Sequence, residues 1–335
     1  MTHQPDDAPL MGKVLAELRF GLFETVRAAT WLTALAAALG GLCGLLGAFS
    51  TRLDLASHFA PLWLAAGFGA AGIGVLIETR RFKWPVVLGI AGALAAAVLM
   101  APDITARALQ RPAPAKGEQL KLVQLNLWGS NADLPRTARW ILREDPDIVL
   151  LEEAASSAIL PMLKARYPYQ TTCAHPHSCA PMILTRTPPL AHGGTSTTPQ
   201  PNLTWVTLDG EAPFTVAAVH QVKPYARVQP VQIALGARQL KDFDQGSLII
   251  AGDFNATPWS WSMRGQDTAL GLERRTRALA SWPTWSPLPL LPIDHVYAGQ
   301  AWRTVDVRRG PPVGSDHYPI VVTLARPVSG GRAQE

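Results

Sequence analysis

The sequence predicts an α/β domain of the layered-sandwich type, preceded by three transmembrane helices. Three observations carry this prediction. Long uncharged Ala/Leu/Gly runs are confined to the first third of the chain. Short strand-like apolar runs alternate with helical stretches in the remainder, and polar side chains collect at the ends of those runs. With 335 residues, 48% of them hydrophobic, the chain can bury a large core as one big or two smaller domains.

Residues 30–49, 55–77 and 84–101 are uncharged, and each comes close to the roughly 20 residues that cross a bilayer as a helix. Gly40, Gly41, Gly44, Gly67, Gly69, Gly72, Gly89 and Gly92 fall within them and would let helices pack closely in lipid. The cations set an orientation. Lys13, Arg19 and Arg27 precede the first run, and Arg80, Arg81 and Lys83 separate the second from the third. The turn between the first two holds only Arg52, opposed by Asp54. Lys and Arg are retained on the cytoplasmic side, so the leader and the second turn are expected inside. An odd number of crossings then puts the C-terminal part outside. The expected organisation is a cytoplasmic leader (1–29), a transmembrane anchor (30–101), a linker (102–119) containing Pro112 and Pro114, a soluble domain (120–326) and a disordered tail (327–335).

Up to Arg111 there are 9 Lys/Arg against 7 Asp/Glu, which leaves 21 against 18 beyond it. Neither part holds the basic block that nucleic-acid binding by counterion release would require. Cys43 reads as a small filler of the first span. Cys173 and Cys179 flank Ala-His-Pro-His-Ser; they could close a disulfide loop in an oxidising compartment, stay reduced, or form a metal clip with His175 and His177.

Within the soluble part, residues 122–128 alternate like a strand, and Asp133 caps a helix with Pro135 in its first turn and Ala138, Ile141 and Leu142 on one face. Residues 147–151 form a continuous apolar run that suits a strand buried on both faces. Further strands are predicted at 182–185, 204–208, 214–219, 248–251, 293–297 and 319–324. Helices are predicted near 157–166 and over 228–240, the latter with Val231 and Leu235 on its apolar side.

What stands at the ends of these runs points to chemistry. Asn126 lies late in the first strand, Glu152 and Glu153 end the second, and His220 ends the strand that starts at Phe214. The run at 248–251 leads into Gly252-Asp253-Phe254-Asn255, Asp294 and His295 interrupt another, and Gly314-Ser315-Asp316-His317 precedes the last. Sites on α/β folds are built at strand ends. Any one of these residues alone reads as a solvated loop carboxylate or a hydrogen-bonded structural His, but packing does not require their accumulation. There is no nucleophile elbow, Walker loop, Rossmann glycine fingerprint or His-Glu-x-x-His helix. A set rich in carboxylate and amide oxygen favours Mg²⁺ or Mn²⁺ over zinc. A hard cation beside a His–Asp pair suits phosphoester hydrolysis.

Leu125-Asn126, Pro146-Asp-Ile-Val-Leu-Leu-Glu-Glu153, Val219-His220, Gly252-Asp-Phe-Asn255, Ile293-Asp294-His295 and Ser315-Asp316-His317 stand in the order found in the endonuclease/exonuclease/phosphatase superfamily, which this chain resembles from about 120 to 326. The resemblance implies the DNase I-like four-layered α/β sandwich. It also implies metal binding by Glu153, with Asn126 and Asp316 contributing. Asp253 would orient or deprotonate the water, Asn255 would hold phosphate and nucleophile, and His220 and His317 would donate to phosphate oxygens, with Asp294 holding His317. Glu152 stands where relatives often have Gln, and no acidic support for His220 is apparent around residues 181–186. The multi-span leader further resembles a bacterial subset of the superfamily linked to teicoplanin resistance. That implies an inner-membrane protein acting at the outer face on a lipid-linked or small phosphate or pyrophosphate ester, with an extracytoplasmic nuclease, or a non-catalytic membrane binding module, as alternatives. Arg274-Arg275-Thr-Arg277 reads as a solvated helix face or a phosphate contact. Trp259, Trp261, Trp282 and Trp285 read as core filler, as interface anchors or as the lining of a lipid-tail groove.

Overall fold

The computed structural model of the chain describes residues 8–78, 83–114, 117–154, 157–173, 181–196, 199–224 and 228–326. The chain divides into two compact units, 1–100 and 101–335.

The first unit is helical: α1 (Ala8–Leu45), a short α2 (Thr51–Asp54), α3 (Ala60–Ile77) and the start of α4 (Trp84–Leu109). Among the described residues, three stretches are long and apolar enough to cross a membrane, Gly12–Phe49, Thr51–Ile77 and Trp84–Leu109. A Cβ on Gly67 would lie 2.4 Å from the Gly89 carbonyl oxygen, and one on Gly92 would lie 2.4 Å from the Ala37 backbone. These glycines therefore set how closely the helices approach. Two boundaries differ from the sequence expectation. Most of the predicted leader is helical from Ala8, and α4 continues through Pro102 to Leu109. Charge marks where an apolar run stops, but it does not stop a helix. Arg80 and Arg81 lie outside the described residues.

In the second unit, α4 ends before Pro112 and Pro114, and twelve strands follow among the described residues. They are β1 (Glu118–Asn126), β2 (Ile148–Glu152), β3 (Tyr169–Thr172), β4 (Met182–Thr185), β5 (Ala191–Thr195), β6 (Asn202–Leu208), β7 (Phe214–His220), β8 (Ile249–Asp253), β9 (Glu273–Arg274), β10 (Asp294–Ala298), β11 (Arg303–Arg309) and β12 (Ile320–Arg326). They form two six-stranded sheets, ordered β11-β12-β1-β2-β4-β3 and β5-β6-β7-β8-β10-β9. Helices α5 (Leu134–Glu144) and α6 (Ile159–Leu163) cover the first sheet, and α7 (Gln229–Leu240) and α8 (Trp261–Leu270) the second. The four layers are those the sequence predicts. The N-cap of α5 is also as predicted, with Asp133 accepting from the Arg136 amide at 3.0 Å.

Side chains in a strand alternate between its faces. Leu122, Leu150, Val216, Ala218, Ile249, Ala251, Val296 and Ala298 fill the core between the sheets. Val123, Leu125, Val149 and Leu151 pack under α5 and α6, while Ala217, Val219, Ile250 and Tyr297 pack under α7 and α8. The same alternation aims Gln124, Asn126, Glu152, His220, Asp253 and Asp294 into the space between the sheets. The registers Asn126↔Glu152, His220↔Asp253 and Asp294↔Asp253 bring them to one end.

The face predicted for α7 is corrected. Val231 is exposed, whereas Gln229, Gln232 and Ile233 are buried. Gln229 donates to the Val222 carbonyl at 2.8 Å, and Gln232 accepts from the Val222 amide at 3.1 Å. Two polar residues are thus buried to satisfy the loop that follows β7. The Arg274 run likewise lies on no helix: Arg274 is in β9, and Arg274 and Arg275 are both buried.

Candidate active site

The buried end of the inter-sheet space holds a continuous polar network. Asp253 Oδ2 is its hub. It accepts from Asn126 Nδ2 at 2.9 Å and from Asn255 Nδ2 at 3.2 Å, with His220 Nε2 at 3.7 Å and His317 Nε2 at 3.9 Å. Its other oxygen accepts from the Asn255 amide at 2.8 Å, and Asn255 also donates to the Gln221 carbonyl at 2.8 Å. Local backbone makes this geometry. A Cβ at Gly252 would sit 1.9 Å from the Val219 carbonyl oxygen, and φ there is +155°, so only glycine lets β8 lie this close to β7. Asn255 follows in the left-handed region (φ +50°), which turns its amide back towards Asp253.

His317 Nδ1 and Asp294 Oδ2 are 2.8 Å apart, both buried. Asp294 is held further by Gln124 Nε2 at 2.8 Å, and Ser281 Oγ accepts from its backbone amide at 3.3 Å. Burial works against charge on the imidazole, but Asp294, then Asp253 and Asp316, raise its pKa to about 10. Burial pushes the Asp294 carboxyl up, yet the His317 charge and hydrogen bond bring it below its ordinary value. For Asp253 burial prevails, and its pKa is raised despite His317.

The adjacent glutamates separate. Glu152 is fully buried, and Gln124 donates to its Oε2 at 2.7 Å. Burial, reinforced by the charge of Asp294, raises its pKa well above the ordinary range. Glu153 has φ +54°, which breaks the strand alternation. Its carboxylate accepts from Asn126 Nδ2 at 3.2 Å and from the Gly129 amide at 2.8 Å. Asp316 Oδ2 accepts from Trp282 Nε1 at 3.1 Å, while Oδ1 is buried with no hydrogen-bond partner among the described residues, 3.9 Å from His317 Nε2.

All eight residues singled out in the sequence, Asn126, Glu153, His220, Asp253, Asn255, Asp294, Asp316 and His317, thus border one cleft. His220 Nδ1 is buried with no partner among the described residues, consistent with the missing acidic support. Three further participants were given no role in the site by the sequence reading, although Ser315 stands within a motif there and Trp282 reads as filler, interface anchor or groove lining. Gln124 bridges Glu152 and Asp294. Ser315 Oγ donates to the Asn126 carbonyl at 2.6 Å and accepts from the His317 amide at 2.9 Å, and Trp282 holds Asp316. Gln124 did leave a signal, being polar at an inward position of an apolar strand. His295 faces the other way: its Nε2 is 2.9 Å from the Ala256 carbonyl, and burial lowers its pKa to about 3, so it serves as a neutral structural residue.

The donor set can hold a hard cation. Carboxylates of Glu153 and Asp253 flank the Asn126 amide, and Asp316 presents a buried oxygen with no hydrogen-bond partner among the described residues. One ligand atom each from Asp253, Asp294 and His317 also lies within 4.8 Å of the others, but the ion pair between Asp294 and His317 already accounts for that grouping. Outside the cleft, Cys173 is disulfide-bonded and Cys43 is free; His175, His177 and Cys179 lie outside the described residues.

The family model described as the Endonuclease/Exonuclease/phosphatase family matches residues 123–317. No curated protein matches the chain. Among solved structures, an endonuclease/exonuclease/phosphatase family protein from Bacteroides thetaiotaomicron is similar over 65% of this chain and 99% of its own, with 16% identity and a TM-score of 0.52. The catalytic domain of human Nocturnin with bound sulfate anion is similar over 62% and 94%, with 18% identity and a TM-score of 0.50. The match spans more than half of the chain and runs from β1 to His317, enclosing every residue of the cleft: the chain belongs to the endonuclease/exonuclease/phosphatase family.

Proposed function

We propose that this protein is a membrane-anchored, Mg²⁺- or Mn²⁺-dependent phosphoester hydrolase acting outside the cytoplasm, on a lipid-linked or small phosphate or pyrophosphate ester. Its family hydrolyses phosphoesters, typically with a divalent metal. The observation that carries the reading is the convergence of Asn126, Asn255, His220 and His317 on one carboxylate oxygen of Asp253. A carboxylate with a raised pKa, fixed by two amides, is suited to align a water and take its proton. His317 keeps its proton at neutral pH because Asp294 lies against its other nitrogen, and so offers a cationic donor to a phosphoryl oxygen. Asn255 and His220 add donors on the same side. Glu153, Asp316 and Asn126 would hold the cation, which when bound would offset phosphate charge. Asn126 turns its amide nitrogen to both carboxylates, so it would rotate that amide to serve as a ligand.

A lipid substrate is favoured over nucleic acid by the rim. Residues 281–292 carry no charge, and Trp285, Leu288 and Leu290 in this segment are 75%, 71% and 54% exposed. The segment is fastened to the cleft, with Thr284 donating from its amide to the Asp316 carbonyl at 2.9 Å and from its hydroxyl to the Ser315 carbonyl at 2.7 Å. An apolar lip suits a hydrocarbon tail; a phosphodiester backbone needs cations there.

The test uses purified full-length chain with Mg²⁺ or Mn²⁺ on prenyl pyrophosphates, phospholipids and plasmid DNA, alongside Asp253→Ala. Lipid turnover abolished by the substitution is expected. DNA cleavage without lipid turnover would reverse the ranking of substrates. Inactivity on all three with no metal binding would point to a binding module.

A further inference from the structure

The basic run left over from the sequence builds a second cavity, separate from the catalytic cleft and sharing no residue with it. The hollow, of about 260 Å³, is lined by Arg111, Arg275, Arg277 and Arg303, by Glu273, and by Ala106 and Leu109 of the last turns of α4. Four guanidiniums against one carboxylate leave three positive charges. Glu273 is engaged with Arg275 at 2.7 Å and Arg277 at 3.0 Å, while Arg111 and Arg303 form no ion pair among the described residues. The negative end of the α4 dipole amounts to about half a charge and does not cancel them.

Rigid partners hold this wall. Arg275 is 5% exposed, and its Nη2 donates to the carbonyls of Ala298, Gly299 and Trp302 at 3.0–3.1 Å. Its Nε is buried with no hydrogen-bond partner among the described residues. Burial draws its pKa below the ordinary value in spite of Glu273, with smaller contributions in the same direction from Arg277 and Arg303. The opposite wall is pinned by Arg107 to the Val307 carbonyl at 2.8 Å, by Gln110 to the Arg275 carbonyl at 3.0 Å and by Asp103 to Arg274 at 3.0 Å. A buried arginine with an unsatisfied donor, at the edge of a preformed cavity holding unpaired guanidiniums, is a feature that an anion would complete.

We propose that this cavity is a phosphate-binding site, taking the phosphate group that phospholipid headgroups share with free phosphate. Guanidinium forks match phosphate oxygens in plane and in number. The cations are gathered in one hollow rather than strung along a track, which does not suit a nucleic-acid backbone. Ala106 and Leu109, at the end of a stretch apolar enough to cross a membrane, give that hollow an apolar wall that suits the acyl chains of a lipid.

The test is calorimetric titration of the detergent-solubilised full chain in EDTA, which silences metal-dependent phosphate binding in the catalytic cleft. The probes are inorganic phosphate, dihexanoyl phosphatidylglycerol and dihexanoyl phosphatidylcholine, each applied to the parent, to the double substitution Arg111→Gln/Arg303→Gln, and to Arg136→Gln as a remote control. Binding of at least one probe, weakened about tenfold or more by the double substitution and unchanged by the control, is expected, corresponding to about 1.4 kcal/mol. If phosphate and lipid are weakened alike, the phosphate group alone is recognised; if only lipid binds, the acyl chains are needed as well. No binding of any probe, or binding that the double substitution leaves intact for every probe that binds, would overturn the proposal. Both substituted side chains are exposed and lie outside the catalytic machinery, so hydrolysis of a soluble phosphoester should be unchanged. A failure here would leave the catalytic reading standing.

Discussion

His317 Nδ1 sits 2.8 Å from Asp294 Oδ2, and both residues are sealed from solvent, although they come from different strand ends 23 residues apart. The pair makes the imidazole a standing cation. Its raised pKa of about 10, against an ordinary 6.5, means that its contribution to stability is complete below about pH 6.5 and is lost as pH rises through about 10. Asp294, held below its ordinary 3.8, contributes above that value and loses its contribution as pH falls further. Asp294→Asn removes the charge and keeps the shape. Its kcat/KM at neutral pH should fall about 100-fold or more, and the alkaline limb of the pH profile should move to lower pH. An unmoved alkaline limb in the variant would show that a different group titrates there.

Glu152 and Glu153 should respond oppositely to the same substitution. Glu152 is shut between the sheets with its pKa raised well above the ordinary range by burial, so Glu152→Gln keeps the shape and the Gln124 contact while removing a carboxyl whose charge burial opposes, and should leave activity within about threefold. Glu153 lies where its carboxylate meets Asn126 and Gly129, so Glu153→Gln should raise the Mg²⁺ concentration needed for half-maximal activity about tenfold or more. Metal-titrated activity assays separate the two. The reverse ranking would exchange their roles.

Position made much of this site legible in the sequence, because Asn126, Glu152, Glu153, His220 and Asp253 each stand at the end of an apolar run. The structure adds the parity that aims them: Leu122, Gln124 and Asn126 share a face, as do Ala251 and Asp253, and those faces meet between the sheets. The four strands not predicted, β3, β5, β9 and β11, are the four edges of the two sheets. Edges carry the polarity that protects them from pairing with other chains, as in Arg303-Thr-Val-Asp-Val-Arg-Arg309, and so hide the alternation that marks central strands. The buried glutamines of α7 were equally hidden. Hydrophobic periodicity finds faces that bury carbon, whereas Gln229 and Gln232 are buried to satisfy backbone groups of the loop after His220. Glu153 was assigned by resemblance; what distinguishes it physically is a left-handed backbone that no residue pattern announced.

Gly252→Ala should be among the most damaging small substitutions in the domain. The added methyl would meet the Val219 carbonyl oxygen at 1.9 Å, and Val219 is the register partner of Gly252 across β7 and β8, so neither backbone can yield alone. A φ of +155° adds strain for any side chain. We expect a loss of about 3 kcal/mol or more, read from denaturant melts of the purified chain, with activity falling in step because Asp253 follows directly. A melt within about 0.5 kcal/mol of the parent would mean that the strands are more pliant than their pairing implies.

Trp285 tests whether the apolar lip selects substrate. It is 75% exposed and stands edge-to-face with Trp282, centroids 6.0 Å apart, while Trp282 in turn donates to Asp316. An exposed indole contributes little to the fold, so Trp285→Ser should leave stability within about 0.5 kcal/mol. Trp282 remains to hold Asp316, so turnover of a soluble aryl phosphoester should also be preserved. Turnover of a long-chain lipid phosphoester should fall about tenfold, because burying part of an indole against a hydrocarbon chain is worth roughly 1–2 kcal/mol. The loss should appear mainly in KM, since the contact lies away from the reacting phosphorus and is the same in ground and transition states. Equal losses on both substrates would make Trp285 a support for the Asp316 loop instead, and no loss on either would remove the lip from substrate recognition.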